Sequence, residues 1–186
     1  MIDEKGDSSR ESKLIEECSK AENRQAQEAL YKEYYSYAMS IAIRYINNRE
    51  EAVEITNDSF MKVFKSLHTF DRSKSFKSWF RRIIINLAID RYRSKKANEE
   101  RILLQDMSPV PDNYEEIISS LTVKDILSLL HRLPHNQRMV FNLYEIENYS
   151  HSEISDMLGI TESSSRSCLT RAKARLRELF SKKFKV

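Results

Sequence analysis

His131 and His135 stand four residues apart, a spacing at which one helix face offers two imidazoles to a metal. Pro134 falls between them, and no Cys or carboxylate pattern joins them, so packed or surface histidines are the simpler reading. Cys168 has no histidine near it in sequence to serve as a base, and the chain carries neither a P-loop nor a glycine fingerprint. Enzymatic chemistry therefore has little support in the residues. Recognition of phosphates and bases has more. Over residues 76–93, rings alternate with cations: Phe76, Lys77, Trp79, Phe80, Arg81, Arg82, Arg91, Tyr92 and Arg93. Cations hold phosphates, and exposed rings stack on unpaired bases. Helical periodicity puts Phe76 and Phe80 in a core and favours burial for Trp79 as well. Over residues 163–175, small hydroxyls and bases share a helix: Ser163, Ser164, Ser165, Arg166, Ser167 and Thr170 first, then Arg171, Lys173 and Arg175. A helix enters the major groove by its N-terminal half, where Arg166 reaches a guanine bidentately and hydroxyls reach bases or phosphates. The later cations position the helix on phosphates without reading sequence.

The elements that must hold these residues are helical. The chain has 186 residues with only 2 Gly and 3 Pro, too few for the turns of sandwiches, barrels or dinucleotide folds. Hydrophobic residues are 40% and charged ones 32%, with a mean hydropathy of −0.60. That is too apolar for wholesale disorder and too polar for a membrane protein. The longest uninterrupted apolar run is three residues, as in Ile83-Ile84-Ile85, so no membrane insertion is expected. Residues 1–10 lack the apolar core of a signal peptide, and Cys18 and Cys168 suit a reducing cytoplasm. The fold class expected is all-α, with two small helical domains joined by a flexible acidic linker.

Periodicity places a helix over about residues 21–46, with Ala26, Leu30, Tyr34, Tyr37, Ile41 and Tyr45 as its stripe. A short helix around residues 14–18 precedes it. A second helix follows Asn48, which pairs with Glu51 as a capping box, and its stripe is Val53, Thr56, Phe60, Val63, Phe64 and Leu67. Ser75 caps a third helix that buries Phe76, Phe80, Ile83, Leu87, Ile84 and Ala88. From Lys95 to about Ser120 periodicity fails, and Pro109 and Pro111 interrupt the chain. Ile126, Leu127 and Leu130 mark the next helix, and Pro134 opens another that carries Val140, Phe141 and Tyr144.

The stretch from Tyr149 to Phe180 is the most informative. Ser150 and Glu153 form the S-x-x-E capping pattern, Ile154, Met157 and Leu158 the inner face, and Gly159 the left-handed stop. Thr161 caps a helix that buries Cys168, Leu169, Ala172, Leu176 and Leu179. This is the helix-turn-helix plan. A net charge of +3 hides its segregation. Residues 81–96 carry six bases against Asp90, residues 98–118 six acids against Arg101, and residues 166–185 eight bases against Glu178. Two basic modules around an acidic linker suit two nucleic-acid-facing domains, although each run taken alone also reads as a solvated face.

These residues resemble a known family. Residues 75–93, with Phe76, Trp79, Asn86, Ala88, Asp90 and the trailing bases, resemble the segment of bacterial sigma factors that recognises and opens the downstream promoter element. Residues 52–64 resemble the helix that docks on the clamp helices of the polymerase largest subunit. Leu133-Pro134, Arg138, Phe141 and residues 152–160 resemble the domain that reads the upstream element. Two such domains with no middle one is the plan of the extracytoplasmic-function class. Ser165 stands where the family usually has Val, and Cys168 where a base is common.

The resemblance implies domains at residues 11–97 and 121–183, with a linker over 98–120. Glu54, Asp58, Phe60 and Met61 would face the clamp. The loop of residues 66–75 would capture a flipped base. Phe70, Lys74, Lys77, Trp79, Arg81, Arg82, Asn86 and Arg91 would contact the downstream element. Ser164, Arg166, Ser167, Thr170, Arg171, Lys173 and Arg175 would lie on the upstream one. The implied partners are core RNA polymerase, through the clamp helices and the flap of the second subunit, promoter DNA, and an anti-sigma factor. No cofactor or metal is implied. The alternatives are a conventional helix-turn-helix regulator with a helical sensor or dimerisation domain, and a polymerase-binding appropriator. A sensor domain has no reason to carry the basic-aromatic helix.

Overall fold

In the computed structural model, residues 4–20, 23–99 and 121–184 are described. Among them, every regular element is a helix: α1 Glu4–Ser19, α2 Arg24–Tyr45, α3 Arg49–Ser66, α4 Phe76–Glu99, α5 Leu121–His131, α6 His135–Phe141, α7 His151–Leu158 and α8 Glu162–Phe184. A 3₁₀ turn, Leu67–Thr69, follows α3, and a π-helical turn, Asn142–Ile146, follows α6. The expected linker of residues 98–120 lies, beyond Glu99, outside the described residues. No described helix is long and apolar enough to cross a membrane.

Two compact units result. One holds Met1–Ala42 with Glu50–Ala88, the other Ile43–Arg49 with Ile89–Val186. In the first, Asn23 Oδ1 accepts from the Ala26 amide at 3.1 Å and so caps α2. Glu50 and Glu51 in the first turn of α3, with Lys65 in its last, match the sign of the helix dipole at each end. The core is aromatic. Phe60 meets Tyr31 at 4.6 Å and Phe80 at 4.9 Å between ring centres, and Tyr34 meets Phe76 edge-on at 5.0 Å. Thr56 and Ser59 are buried without cost because their hydroxyls donate to Ala52 O and Thr56 O.

Most of the expected faces are buried, Thr56, Phe60, Val63 and Leu67 on one and Phe76, Phe80, Ile84 and Ala88 on the other, but both faces extend to neighbouring residues. In α3 they take Ala52, Ile55 and Ser59, while Val53 and Phe64 sit at the edge. In α4, Ile84, Ile85, Ala88, Ile89 and Tyr92 are inside, and Ile83 and Leu87 are only half-buried. Each step along a helix turns the side chain by about 100°, so a one-residue choice between neighbouring apolar residues shifts the stripe. α1 and α4 are also longer than expected. Helix propagation costs little once a turn is nucleated, so residues without apolar periodicity extend both.

In the second unit, Leu127, Leu130, Met139, Val140, Leu143, Ile154, Leu158, Leu169, Ala172 and Leu179 make the core. Two buried polar side chains are matched within it. His131 Nε2 donates to Ile43 O at 2.7 Å, and Asn142 Nδ2 to Arg44 O at 2.7 Å. Ile126 does not join this core. It is 53% exposed, because the inner face of α5 runs through Leu127, Leu130 and His131.

Candidate nucleic-acid interface

In the first unit, the loop after α3 is ordered by its own side chains. Thr69 Oγ1 donates to Ser66 O at 2.7 Å. Asp71 Oδ1 accepts from the Ser73 amide at 3.0 Å and from its hydroxyl at 2.7 Å, and Lys74 Nζ lies 3.6 Å from Asp71 Oδ2. The Ser73 hydroxyl and amide, with Lys74 beside them, hold the Asp71 carboxyl below the usual carboxylate range. Ser75 Oγ then accepts from the Ser78 amide, the cap expected for α4.

The loop delivers a ring cluster. Phe70, half-buried, lies 5.0 Å from Trp79 and edge-on to Phe76 at 5.8 Å. Trp79 is half-exposed, between the core burial that periodicity favoured and a free stacking platform. Beside it, Lys77, Arg82, Asn86 and Lys74 are exposed, while Arg81 and Arg91 are half-buried. Tyr37 Oη donates to Lys77 O at 3.1 Å, which fixes the first turn beneath that cation. The result is a ring cluster at the start of α4, a shaped loop before it and exposed cations around the helix, a combination suited to a phosphate backbone and unstacked bases.

The candidate protein-binding face of α3 needs one correction. Glu54, Asp58 and Met61 share an exposed face at helical spacing, and Met61 is 55% exposed. Phe60, expected beside them, is 1% exposed and packs in the aromatic core. Its place four residues after Thr56 and three before Val63 puts it on the buried stripe.

In the second unit, the capping box is complete. Ser150 Oγ accepts from the Glu153 amide, and the Ser150 amide donates to Glu153 Oε2 at 2.8 Å. Gly159 ends α7 at φ 61°. Thr161 Oγ1 accepts from the Ser164 amide at 3.1 Å and starts α8. Along α8, Ser164, Arg166, Ser167, Thr170, Arg171 and Arg175 are exposed. Arg166 pairs with Glu162 at 2.7 Å, and Thr170 Oγ1 donates back to Arg166 O at 3.0 Å. Lys173 is half-buried and ion-paired to Glu145 at 2.6 Å, so it braces the π-helical turn more than it faces outward.

Ser165, expected with the outward hydroxyls, is completely buried. It hydrogen-bonds with His151 Nδ1 at 2.9 Å, and that ring stacks on Tyr144 at 4.5 Å. A second feature escaped the sequence because its members are far apart. Val123 and Ile126 of α5 and Phe180 and Phe184 of α8 are exposed apolar residues, and Lys183 ties the two helices by Asp125 at 2.7 Å and Ser128 at 2.9 Å. Neither thiol is activated. Burial, with Glu17 adding, pushes Cys18 up to about 11, and burial outweighs Arg171 to raise Cys168. Among the described residues, no group of three or more His, Cys, Asp or Glu could hold a metal ion.

Comparison with known proteins gives these surfaces a family. Sigma-70 region 2 matches residues 30–98, and Sigma-70, region 4 matches residues 124–176. The chain is 33% identical over 141 residues to the RNA polymerase sigma factor SigZ of Bacillus subtilis, covering 73% of this chain and 78% of that one. It is 28% identical over 159 residues to the ECF RNA polymerase sigma factor SigM of Mycobacterium tuberculosis, covering 86% and 79%. A solved complex of the sigma factor RpoE with the anti-sigma factor NepR from Bartonella quintana has a TM-score of 0.49 at 21% identity, covering 82% of this chain and 97% of that one. The chain therefore belongs to the sigma-70 family, in its extracytoplasmic-function class: it is not an enzyme but a sigma factor, which binds core RNA polymerase and directs it to promoters.

Proposed function

We propose that the two cationic surfaces divide promoter recognition between them, with residues 11–97 and 121–183 as the working domains. The exposed face of Glu54, Asp58 and Met61 docks on the polymerase clamp helices, since an exposed apolar residue in line with two acids on an open helix face suits a protein partner that offers apolar and basic groups. The loop of residues 66–75, with Phe70 and Trp79, takes an unstacked base of the downstream element. Lys74, Lys77, Arg82 and Asn86 lie along the backbone, and Arg81 and Arg91 act from half-buried positions. Ser164, Arg166, Ser167, Thr170, Arg171 and Arg175 lie on the upstream element, with Arg166 as the base reader. The apolar patch of Val123, Ile126, Phe180 and Phe184 suits the flap of the second polymerase subunit.

The observation that carries this reading is the loop-and-ring cluster at the start of α4, with the exposed cations Lys74, Lys77 and Arg82 close to it in the chain. A duplex-only reader needs no such cluster. The protein works in the cytoplasm, and an anti-sigma factor controls it by covering the polymerase-binding faces. Both statements rest on membership of the family. Run-off transcription with purified core polymerase on pooled genomic promoters tests the reading. Discrete starts preceded by a shared pair of elements support it. Polymerase binding without transcripts would favour an appropriator instead.

A further inference from the structure

The Ser165 hydroxyl poses a physical problem that the fold has answered in one specific way. It lies wholly inside the second unit, where a hydroxyl without a partner is unfavourable. The Ser165 amide is already committed to Thr161 O at 3.0 Å. The hydroxyl's partner is the His151 imidazole, 2.9 Å away, with the ring's tautomer deciding which atom donates. His151 is the first residue of α7, directly after the cap, and the reciprocal bonds of Ser150 and Glu153 hold its backbone. Its ring lies nearly parallel to Tyr144, at 4.5 Å and 22°. One imidazole thus joins the π-helical turn, the start of α7 and the start of α8.

The joint sits next to the reading residues. Arg166 follows Ser165 directly, and Glu162, which pairs with Arg166, lies three residues before it. Where the family usually has Val, an apolar contact tolerates small slides and rotations. A hydrogen bond fixes distance and direction. We propose that His151 is a positioning residue for upstream-element recognition: through its hydrogen bond to buried Ser165 it sets the angle at which α8 presents Arg166, Ser167 and Thr170. This rests on the reading that α8 lies on the upstream element.

The test uses the full chain with core polymerase on templates whose upstream element is randomised, scoring transcripts by sequence. His151→Phe keeps a ring over Tyr144 but removes both nitrogens. Ser165→Val removes the hydroxyl. Each single variant is expected to lower upstream-dependent transcription about tenfold and to change the base preference profile, and the double variant, an apolar pair, to recover to within about threefold of the starting protein. Leu179→Ala, a core change about four turns along α8 from Ser165, controls for lost stability and is expected to leave the preference profile alone. Unchanged profiles in both single variants, or losses that simply add in the double one, would overturn the proposal. A starting protein indifferent to the upstream sequence would overturn the reading of α8 itself, which separates the two failures.

Discussion

The Arg166 guanidinium donates to Glu162 Oε2 at 2.7 Å, one helical turn back along α8. The side chain proposed to read a base is therefore already folded onto a carboxylate of its own helix. Both partners are well exposed, so the pair contributes at most about 1 kcal/mol and gives way readily to a base edge. Arg166→Ala is expected to cost about 1–3 kcal/mol of discrimination at one upstream position. Glu162→Gln is expected to tighten binding to all sequences alike. Competition assays on single-substitution promoters distinguish a local loss from a uniform gain.

Neighbours in sequence, Phe60 and Met61 should behave oppositely. Phe60→Ala empties a buried ring site and is expected to lower stability by about 3–5 kcal/mol, visible as a fall in Tm. Met61→Glu changes an exposed residue, so Tm should hold within about 1 kcal/mol of stability while affinity for core polymerase falls at least tenfold. Equal loss of Tm in both would remove Met61 from the docking face.

Lys77 and Arg82 should act by charge and Trp79 by stacking. Removing one phosphate-facing cation is expected to weaken binding and reduce the salt slope by about 1. Trp79→Ala should leave the salt slope intact and instead reduce strand opening, measured by permanganate reactivity of unpaired thymines. A common effect of all three on salt dependence would merge the two roles.

Acid should weaken the second unit. Burial, with Arg138 and Lys95 adding, pulls His135 down from 6.5 to about 4, and burial also lowers His131 despite its bond to Ile43 O. The Tyr92 ring packs edge-on against His135 at 5.0 Å. A folded state that refuses a proton the unfolded chain accepts is stabilised above pH 6.5 and loses that stability as pH falls toward 4. His135 alone should cost about 2 kcal/mol between pH 7 and pH 5. Denaturant midpoints across that range should fall, and His135→Leu should flatten most of the slope.

Local devices were the most legible part of the sequence. Ser150 with Glu153, Gly159, Thr161 and the Ser75 cap each act within four residues, so spacing alone locates them. What escaped depends on distance or on angle. Ser165 carries no apolar signal, and the histidine that makes its burial tolerable stands 14 residues earlier. The outward turn of Ile126 is decided by which neighbour the core selects, since periodicity offers the adjacent Leu127 as well; for Phe60 periodicity gives the buried stripe correctly, and only the family resemblance places it on the outer face. The exposed pairs Val123 and Ile126 of α5 and Phe180 and Phe184 of α8 lie on two helices that Lys183 ties together from far ends of the domain's sequence, which no local pattern connects.

Gly159 holds its backbone at φ 61°, and a side chain added there would meet nothing within 4 Å. The obstacle to replacing it is handedness, not room. An L-alanine would be strained by its own chirality, whereas a D-alanine installed by chemical ligation would sit at ease in the mirror-image region. By denying the unfolded chain the wide freedom of glycine, that one stereocentre should raise stability by about 0.4–1 kcal/mol. The corner between α7 and α8 is thus a place where ribosomal synthesis, limited to one hand, leaves the domain less stable than its shape permits.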